Sequence, residues 1–272
     1  MISQDQGVKA FTPTAYLGST LSAGRPTQRR ACVENYDNLG YILGTSSSKF
    51  QEECGGSSIQ FITSTLAPLL AVAHNSSRRD LYSPFRNPFY NSSGSPLVAS
   101  QPELFLVDGG QANQNNPLWP FLQPARETDV VIVNDNSADT DNNYPNGTEL
   151  YHTYVQAKAA GLTRMPVIPP VSEFVNKGLH ERATFFGCNS RKELTIIYLP
   201  NVNYTFDSGQ PSSRFEYTFN DTNSMIEAGA QIALQHGDPQ WPRCLACAIV
   251  SKSARRMPSQ CQACLKKYCY QP

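Results

Sequence analysis

The chain has 272 residues, and its 22 lysines and arginines balance 22 aspartates and glutamates. That length can bury a sizeable core, as one large domain or two small ones, and the balance offers no electrostatic footprint for nucleic acid or for an anionic membrane held by charge. Charged residues are only 16% while Asn, Ser, Thr, Pro and Gly abound, the composition of a loop-rich secreted protein, and no apolar run reaches the length of a membrane span.

Residues 1–31 read as an irregular arm rich in Thr, Pro, Gly and Ser, and the first six lack both the charged and the apolar parts of a signal peptide. A short apolar run enters a serine turn over 41–48. Residues 59–73 predict a helix, with Pro68 inside it or bounding its first half. Between 75 and 98, Pro84, Pro88 and Pro96 stand among aromatics, which predicts a loop or cap packed through Tyr82, Phe85, Phe89 and Tyr90. Residues 104–107 and 129–133 predict buried strands, and 118–125 crosses between them. Both strands are apolar at consecutive positions and so expect cover on both faces. A polar, acidic loop follows over 134–147, then a helix over 149–160 that ends near Gly161. A strand over 194–199 and a helix over 223–236, with apolar Met225, Ile226, Ile232 and Leu234, come next. Residues 243–254 also look helical. Strands alternating with helices indicate an α/β fold, and no internal repeat interrupts the pattern.

The most informative stretch is Leu106-Val107-Asp108-Gly109-Gly110-Gln111-Ala112-Asn113-Gln114-Asn115-Asn116-Pro117. An apolar strand ends abruptly in a carboxylate and two glycines, which puts Asp108 at the carboxyl end of a strand, where open α/β sheets place their ligands. Gly109 and Gly110 permit positive φ and close approach of a substrate or a second catalytic group. Asp-Gly-Gly alone is an ordinary turn.

The longer string resembles the catalytic-aspartate motif of the fungal phospholipase B (lysophospholipase) family, secreted relatives of the cytosolic phospholipase A-two and patatin hydrolases. Phe11-Thr-Pro-Thr-Ala-Tyr-Leu-Gly18, the block from Cys32 to Ser48, Asp129-Val-Val-Ile-Val-Asn-Asp135-Asn-Ser137-Ala-Asp139 and the cysteine-rich end resemble further family blocks. The resemblance covers nearly the whole chain, in family order. It implies the C-terminal part of a patatin- or cytosolic-phospholipase-like acyl hydrolase sheet with helices, plus a disulfide-rich C-terminal segment. It also implies a Ser-Asp dyad with Asp108 as base, no cofactor, a lysophospholipid or phospholipid substrate met at a lipid interface, and a secreted or cell-surface location. An aspartate with an ordinary pKa of about 3.9 is ionised at neutral pH. Leu118, Trp119 and Phe121, just after the turn, are candidates for an acyl-chain channel or for packing around the strand.

The departure lies in the nucleophile. No Gly-x-Ser-x-Gly occurs; Gly44-Thr-Ser46-Ser-Ser48 lacks the closing glycine of a nucleophile elbow. Cys54-Gly55-Gly56 offers a nest of N–H groups far from any strand-like run. Residues 1–272 therefore read as the C-terminal part of a catalytic domain that holds the base without the serine. Such a piece is expected to leave a strand edge and an apolar surface uncovered.

Competing readings remain. A Ser-His-Asp triad would draw on His74, His152, His180 or His236, none of which sits in a motif. Asp135, Asp139 and Asp141 form either a solvated loop or a cation site, though they match no calcium loop. Eight cysteines suit four disulfides of an oxidising compartment, or else zinc at Cys244-x-x-Cys247 and Cys261-x-x-Cys264. Asn75, Asn91, Asn146, Asn203 and Asn220 head sequons for glycosylation. A non-catalytic, glycosylated, disulfide-stapled secreted domain is the alternative to an enzyme.

Overall fold

A computed structural model describes residues 16, 18–28, 82–93, 98–211, 214, 216–254 and 256–272. The expectations for 41–48 and 59–73, and those for Ser46, Cys32, Cys54, His74 and Asn75, lie outside the described residues. The chain divides into two compact units, Met1–Gln111 and Ala112–Pro272.

In the first unit the expected irregular arm contains a tight hairpin, β1 (Leu21–Ser22) against β2 (Arg25–Pro26). Ala23 and Gly24 both take positive φ, at 48° and 76°, as two-residue hairpin turns require. The expected 75–98 loop contains a strand, β3 (Ser83–Arg86), which pairs antiparallel with β4 (Glu103–Leu106), Ser83 facing Leu106. Pro84 masks this strand in the sequence, although proline is tolerated at a strand edge. Asn87, directly after β3, is buried. Its Nδ2 donates to the carbonyls of Val98 at 2.7 Å and Gln101 at 2.6 Å, and its Oδ1 accepts from Phe89 N at 2.8 Å. A buried amide so fully satisfied ties the chain just after β3 to residues 98–101.

The second unit is built on a three-stranded sheet. β5 (Val130–Asp135) runs parallel to β7 (Thr195–Pro200), and β6 (Thr184–Phe186) pairs antiparallel with the other side of β7. Every residue of β7 is buried, because both faces of the sheet are covered. Ile196 and Tyr198 point into one core, with Val133, Leu150, Ala157, Phe174 and Phe186. Ile197 and Leu199 point into the other, with Phe185, Ile232, Trp241 and Tyr268. Helices α2 (Thr148–Ala159) and α3 (Val171–Asn176) supply the first core. Helices α4 (Phe219–Ala233), α5 (Trp241–Val250) and α6 (Ser259–Tyr268) supply the second. A short helix, α1 (Trp119–Leu122), precedes β5 and buries Leu122.

Three disulfides stabilise this unit: Cys188–Cys269, Cys244–Cys264 and Cys247–Cys261. The last two join α5 to α6, so the two Cys-x-x-Cys pairs cross-link facing helices, and the zinc alternative falls. Cys188–Cys269 ties the chain end to β6, where Tyr270 N donates to Phe185 O at 2.8 Å. Expected cover on both faces of β5 is only half realised: Val131 and Val133 pack inward, but Ile132 is 55% exposed. Among the described residues, the outer edge of β5 has no strand partner. No helix among them is long and apolar enough to cross a membrane.

Candidate active site

Asp108 stands two residues beyond β4, half-buried, between an apolar strand and a 3-10 turn over Gly109–Ala112. Its Oδ1 accepts from Gly110 N at 2.7 Å, the Asx turn that an aspartate makes two residues ahead of itself. That bond fixes the carboxyl rotamer through Oδ1. Two expectations need correction. Neither Gly109 nor Gly110 takes positive φ; the 3-10 turn needs only ordinary helical angles, so any requirement for glycine here lies in close approach. And the strand that delivers Asp108 is not deeply buried: its residues are half-exposed and its partner among the described residues is antiparallel β3. The parallel pair belongs to β5 and β7.

In the second unit, the carboxyl end of β5 carries the polar groups. Asp135 is 1% exposed and accepts three hydrogen bonds: from Ser137 N at 3.0 Å, Ser137 Oγ at 2.6 Å and Tyr198 OH at 2.8 Å. A carboxylate satisfied by three donors is tolerated in the core. Burial, and after it the charge of Asp135, pushes the Tyr198 phenol well above its usual range, so it stays a donor. Ser137 Oγ in turn accepts from Asn115 Nδ2 at 2.9 Å. The backbone N–H of Asn115 donates to Glu149 Oε2 at 3.3 Å, and Gln114 Nε2 to Gln156 Oε1 at 2.5 Å.

Asp135, Asp139 and Asp141 do not gather around a common point. Asp139 accepts from Asn146 N at 3.0 Å, and burial pushes its carboxyl up, with the charge of Asp135 adding to the shift. Glu149 is pushed up for the same first reason. Asp141 is exposed. No group of three His, Cys, Asp or Glu side chains among the described residues is placed to hold a metal.

His236 stacks on Tyr204, with ring centroids 5.3 Å apart, His180 Nε2 lies 3.7 Å from Glu181 Oε1, and His152 lies on α2. Leu118 is core, and Leu118 and Phe121 line an open hollow of about 240 Å³ with Asn116, Pro117, Val131, Ile132 and Val133. Trp119 does not line it, and its Nε1 is buried without a hydrogen-bond partner. Of the sequons, Asn91, Asn203 and Asn220 are exposed. Asn146 is half-buried, and its Oδ1 accepts from Thr148 N and Oγ1 at 3.0 and 2.6 Å.

The sequence reading passed over Ser137, Tyr198 and Asn115. A short-range signal was present, since Asp-x-Ser at a strand end is a turn that turns a carboxylate back onto the chain. Tyr198 lies 63 positions away from its partner, and no local pattern announces such a bond.

The lysophospholipase catalytic domain family matches residues 1–272. "Lysophospholipase 2" of Aspergillus fumigatus is 37% identical over 287 residues, covering 98% of this chain and 48% of that protein. "Lysophospholipase 1" of Saccharomyces cerevisiae is 35% identical over 298 residues, covering 99% of this chain and 44% of that protein. "Lysophospholipase" of Penicillium chrysogenum is 34% identical over 290 residues, covering 98% and 47%. The chain thus spans about half the length of the curated relatives it matches. No solved structure matches it.

Proposed function

The chain belongs to the lysophospholipase catalytic-domain family, and from that premise we propose that it serves hydrolysis of the fatty-acyl esters of lysophospholipids and phospholipids, with Asp108 as general base. The observation that carries this reading is the Asp108 turn: a half-buried carboxylate just beyond a strand end, with one oxygen held by Gly110 N–H. The partner in the reaction is the serine of a Gly-x-Ser-x-Gly turn, a pattern that residues 1–272 do not contain.

As serine Oγ bonds the ester carbonyl carbon, its proton passes to Asp108 Oδ2, and backbone N–H groups hold the oxyanion. When the tetrahedral intermediate collapses, the ester C–O bond breaks and Asp108 returns the proton to the leaving alkoxide. Water then attacks the acyl-serine, giving up a proton to Asp108, and the free fatty acid departs as serine is re-protonated.

We read residues 1–272 as the C-terminal portion of such a catalytic domain, with a patatin- or cytosolic-phospholipase-like sheet. The three disulfides support folding in an oxidising compartment, hence a secreted or cell-surface protein. They support equally a non-catalytic secreted domain.

Asp108→Asn in the whole protein keeps the shape of the turn and removes the base. Turnover of lysophosphatidylcholine is expected to fall by about 10² to 10⁴. Near-normal turnover in that variant eliminates Asp108 as base. No turnover before mutation favours the non-catalytic domain.

A further inference from the structure

The balance of charge over the whole chain conceals a segregation along it. Residues 239–272 hold six of the 22 basic residues and none of the 22 acidic ones. Most of them form α5 and α6, which Cys244–Cys264 and Cys247–Cys261 join as an antiparallel hairpin. Where α5 stops, apolar and basic side chains meet. Ile249 and Val250, in its last turn, are 47% and 44% exposed. Just beyond them Lys252 is half-buried and Arg256 exposed. The turn after β6 adds two more cations. Ala254 N donates to Val250 O at 3.0 Å, and Ala254 O accepts from Arg191 Nη2 at 3.0 Å, which brings exposed Arg191 and its exposed neighbour Lys192 to the end of α5. Lys252 Nζ fastens the two turns a second time, donating to Gly187 O at 2.7 Å and to Ser190 O. Glu193 and Asp129 are the carboxylates that act on Lys252, with Arg164 opposing them. Among these groups five cations stand against two carboxylates, so the corner is positive.

We propose that this corner, Ile249 and Val250 flanked by Arg191, Lys192, Lys252 and Arg256, docks the protein on a bilayer that contains anionic phospholipid. The cations meet the charged headgroups, and the two aliphatic side chains, with the alkyl stems of the cations, enter the edge of the acyl layer. A nucleic acid or an acidic polysaccharide fits the corner less well, because it gains nothing from Ile249 and Val250. The hairpin's rings that could stack on bases, Trp241 and Tyr268, are only 2% and 4% exposed. Two disulfides pre-organise the hairpin, so docking orders little that is not ordered already. The docking surface rests on the hydrolase reading for its purpose, though not for its existence.

The test is co-sedimentation of the whole protein with vesicles of ether-linked phospholipids, which ester hydrolysis leaves intact. Partition into vesicles of equal parts phosphatidylcholine and phosphatidylserine should exceed that into phosphatidylcholine alone by about a hundredfold. Raising salt from about 0.1 M to about 1 M shortens the screening length from about 10 Å to about 3 Å and should release the protein. Lys192→Gln and Arg256→Gln should each lower partition by about fivefold, and together by about 25-fold, the factors for one and two cations near an anionic surface. Ile249→Ser combined with Val250→Ser should lower it by about tenfold through lost apolar contact and leave affinity for heparin unchanged. All four positions are exposed, and the salt series needs no variant at all. Lys158→Gln is the control: Lys158 is exposed on α2, which packs on the opposite face of the sheet from α5 and α6, and its loss should change partition by less than about twofold.

Equal partition into the two kinds of vesicle overturns the proposal, as does partition that survives high salt. A loss on Lys158→Gln as large as that on Lys192→Gln would mark a general effect of charge and also overturns it. If heparin affinity falls with Lys192→Gln while vesicle partition ignores the two serine substitutions, the corner belongs to a soluble polyanion and the bilayer is discarded. If partition behaves as expected but lysophosphatidylcholine is not hydrolysed, or is hydrolysed as well by Asp108→Asn, the docking surface stands and the hydrolase reading falls. If Asp108→Asn abolishes hydrolysis while the corner variants leave partition unchanged, the hydrolase stands and the docking surface falls.

Discussion

Asp238 shows how much of this structure depends on single carboxylates. It accepts from Lys267 Nζ and Tyr268 OH, both at 2.5 Å, and from Gln240 N at 2.9 Å. These bonds, that of Lys267 first, hold its pKa down at about 2 against an ordinary 3.8. A carboxyl depressed in the folded state stabilises above its unfolded pKa and loses that contribution as pH falls through the folded one. Asp238→Asn should therefore lower the melting temperature at pH 5 to 7, with the difference shrinking between pH 4 and about 2. A difference independent of pH across that window would discard the charge-based explanation. Asp139 and Glu149 carry the opposite sign. Burial raises both, so their contribution is present below the ordinary carboxyl range and lost as pH rises through the raised values.

At the scale of an element, α4 shows why a helix boundary escapes periodicity. Its apolar residues suggest a start at 223, yet it begins at Phe219, because Thr218 and Asp221 form a capping box. Thr218 Oγ1 accepts from Asp221 N at 3.1 Å, and Asp221 Oδ2 accepts from Thr218 N at 3.2 Å. Two N–H groups of the first turn are satisfied by side chains rather than by helix carbonyls. Thr218→Ala should cost about 1 kcal/mol, a fall of about 2–4 °C in melting temperature. A melt indistinguishable from the parent would show that Arg214, which donates to Asp221 Oδ2 at 2.5 Å, holds the turn alone. The short helices α1 and α3 and strand β6 were not anticipated. Each has six residues or fewer, too few for a period to appear, and each is held by what packs on it.

At the scale of the whole molecule, the three described disulfides differ most in the length of chain that each closes. Cys188–Cys269 closes a separation of 81 residues, against 20 for Cys244–Cys264 and 14 for Cys247–Cys261. On a chain-entropy account, long loops are restrained most, about 4–5 kcal/mol for the first bridge and about 3 for the last. Replacing Cys188 and Cys269 together by alanine should thus lower the urea midpoint further than replacing Cys247 and Cys261. The reverse order would mean that the short bridges within the second core matter through packing rather than loop closure.

What the residues alone determined is local. The α/β character, the strand over 129–133, the helix ending at Gly161, the disulfide-rich end and the motif around Asp108 all rest on periodicity, turn chemistry and composition within about a dozen positions. The family followed from that motif and its neighbours in order. Only the tertiary structure decided the pairing of the six described cysteines, the antiparallel partner of the Asp108 strand, and the role of Asp135 as a buried hub rather than a cation ligand. Each of these joins groups far apart in sequence. Tyr198 meets Asp135 across 63 positions because β5 and β7 lie side by side in register, and Cys188 meets Cys269 because the chain end bridges to β6. Local propensity carries no record of such meetings, since their stabilisation appears only once the sheet has closed its two cores.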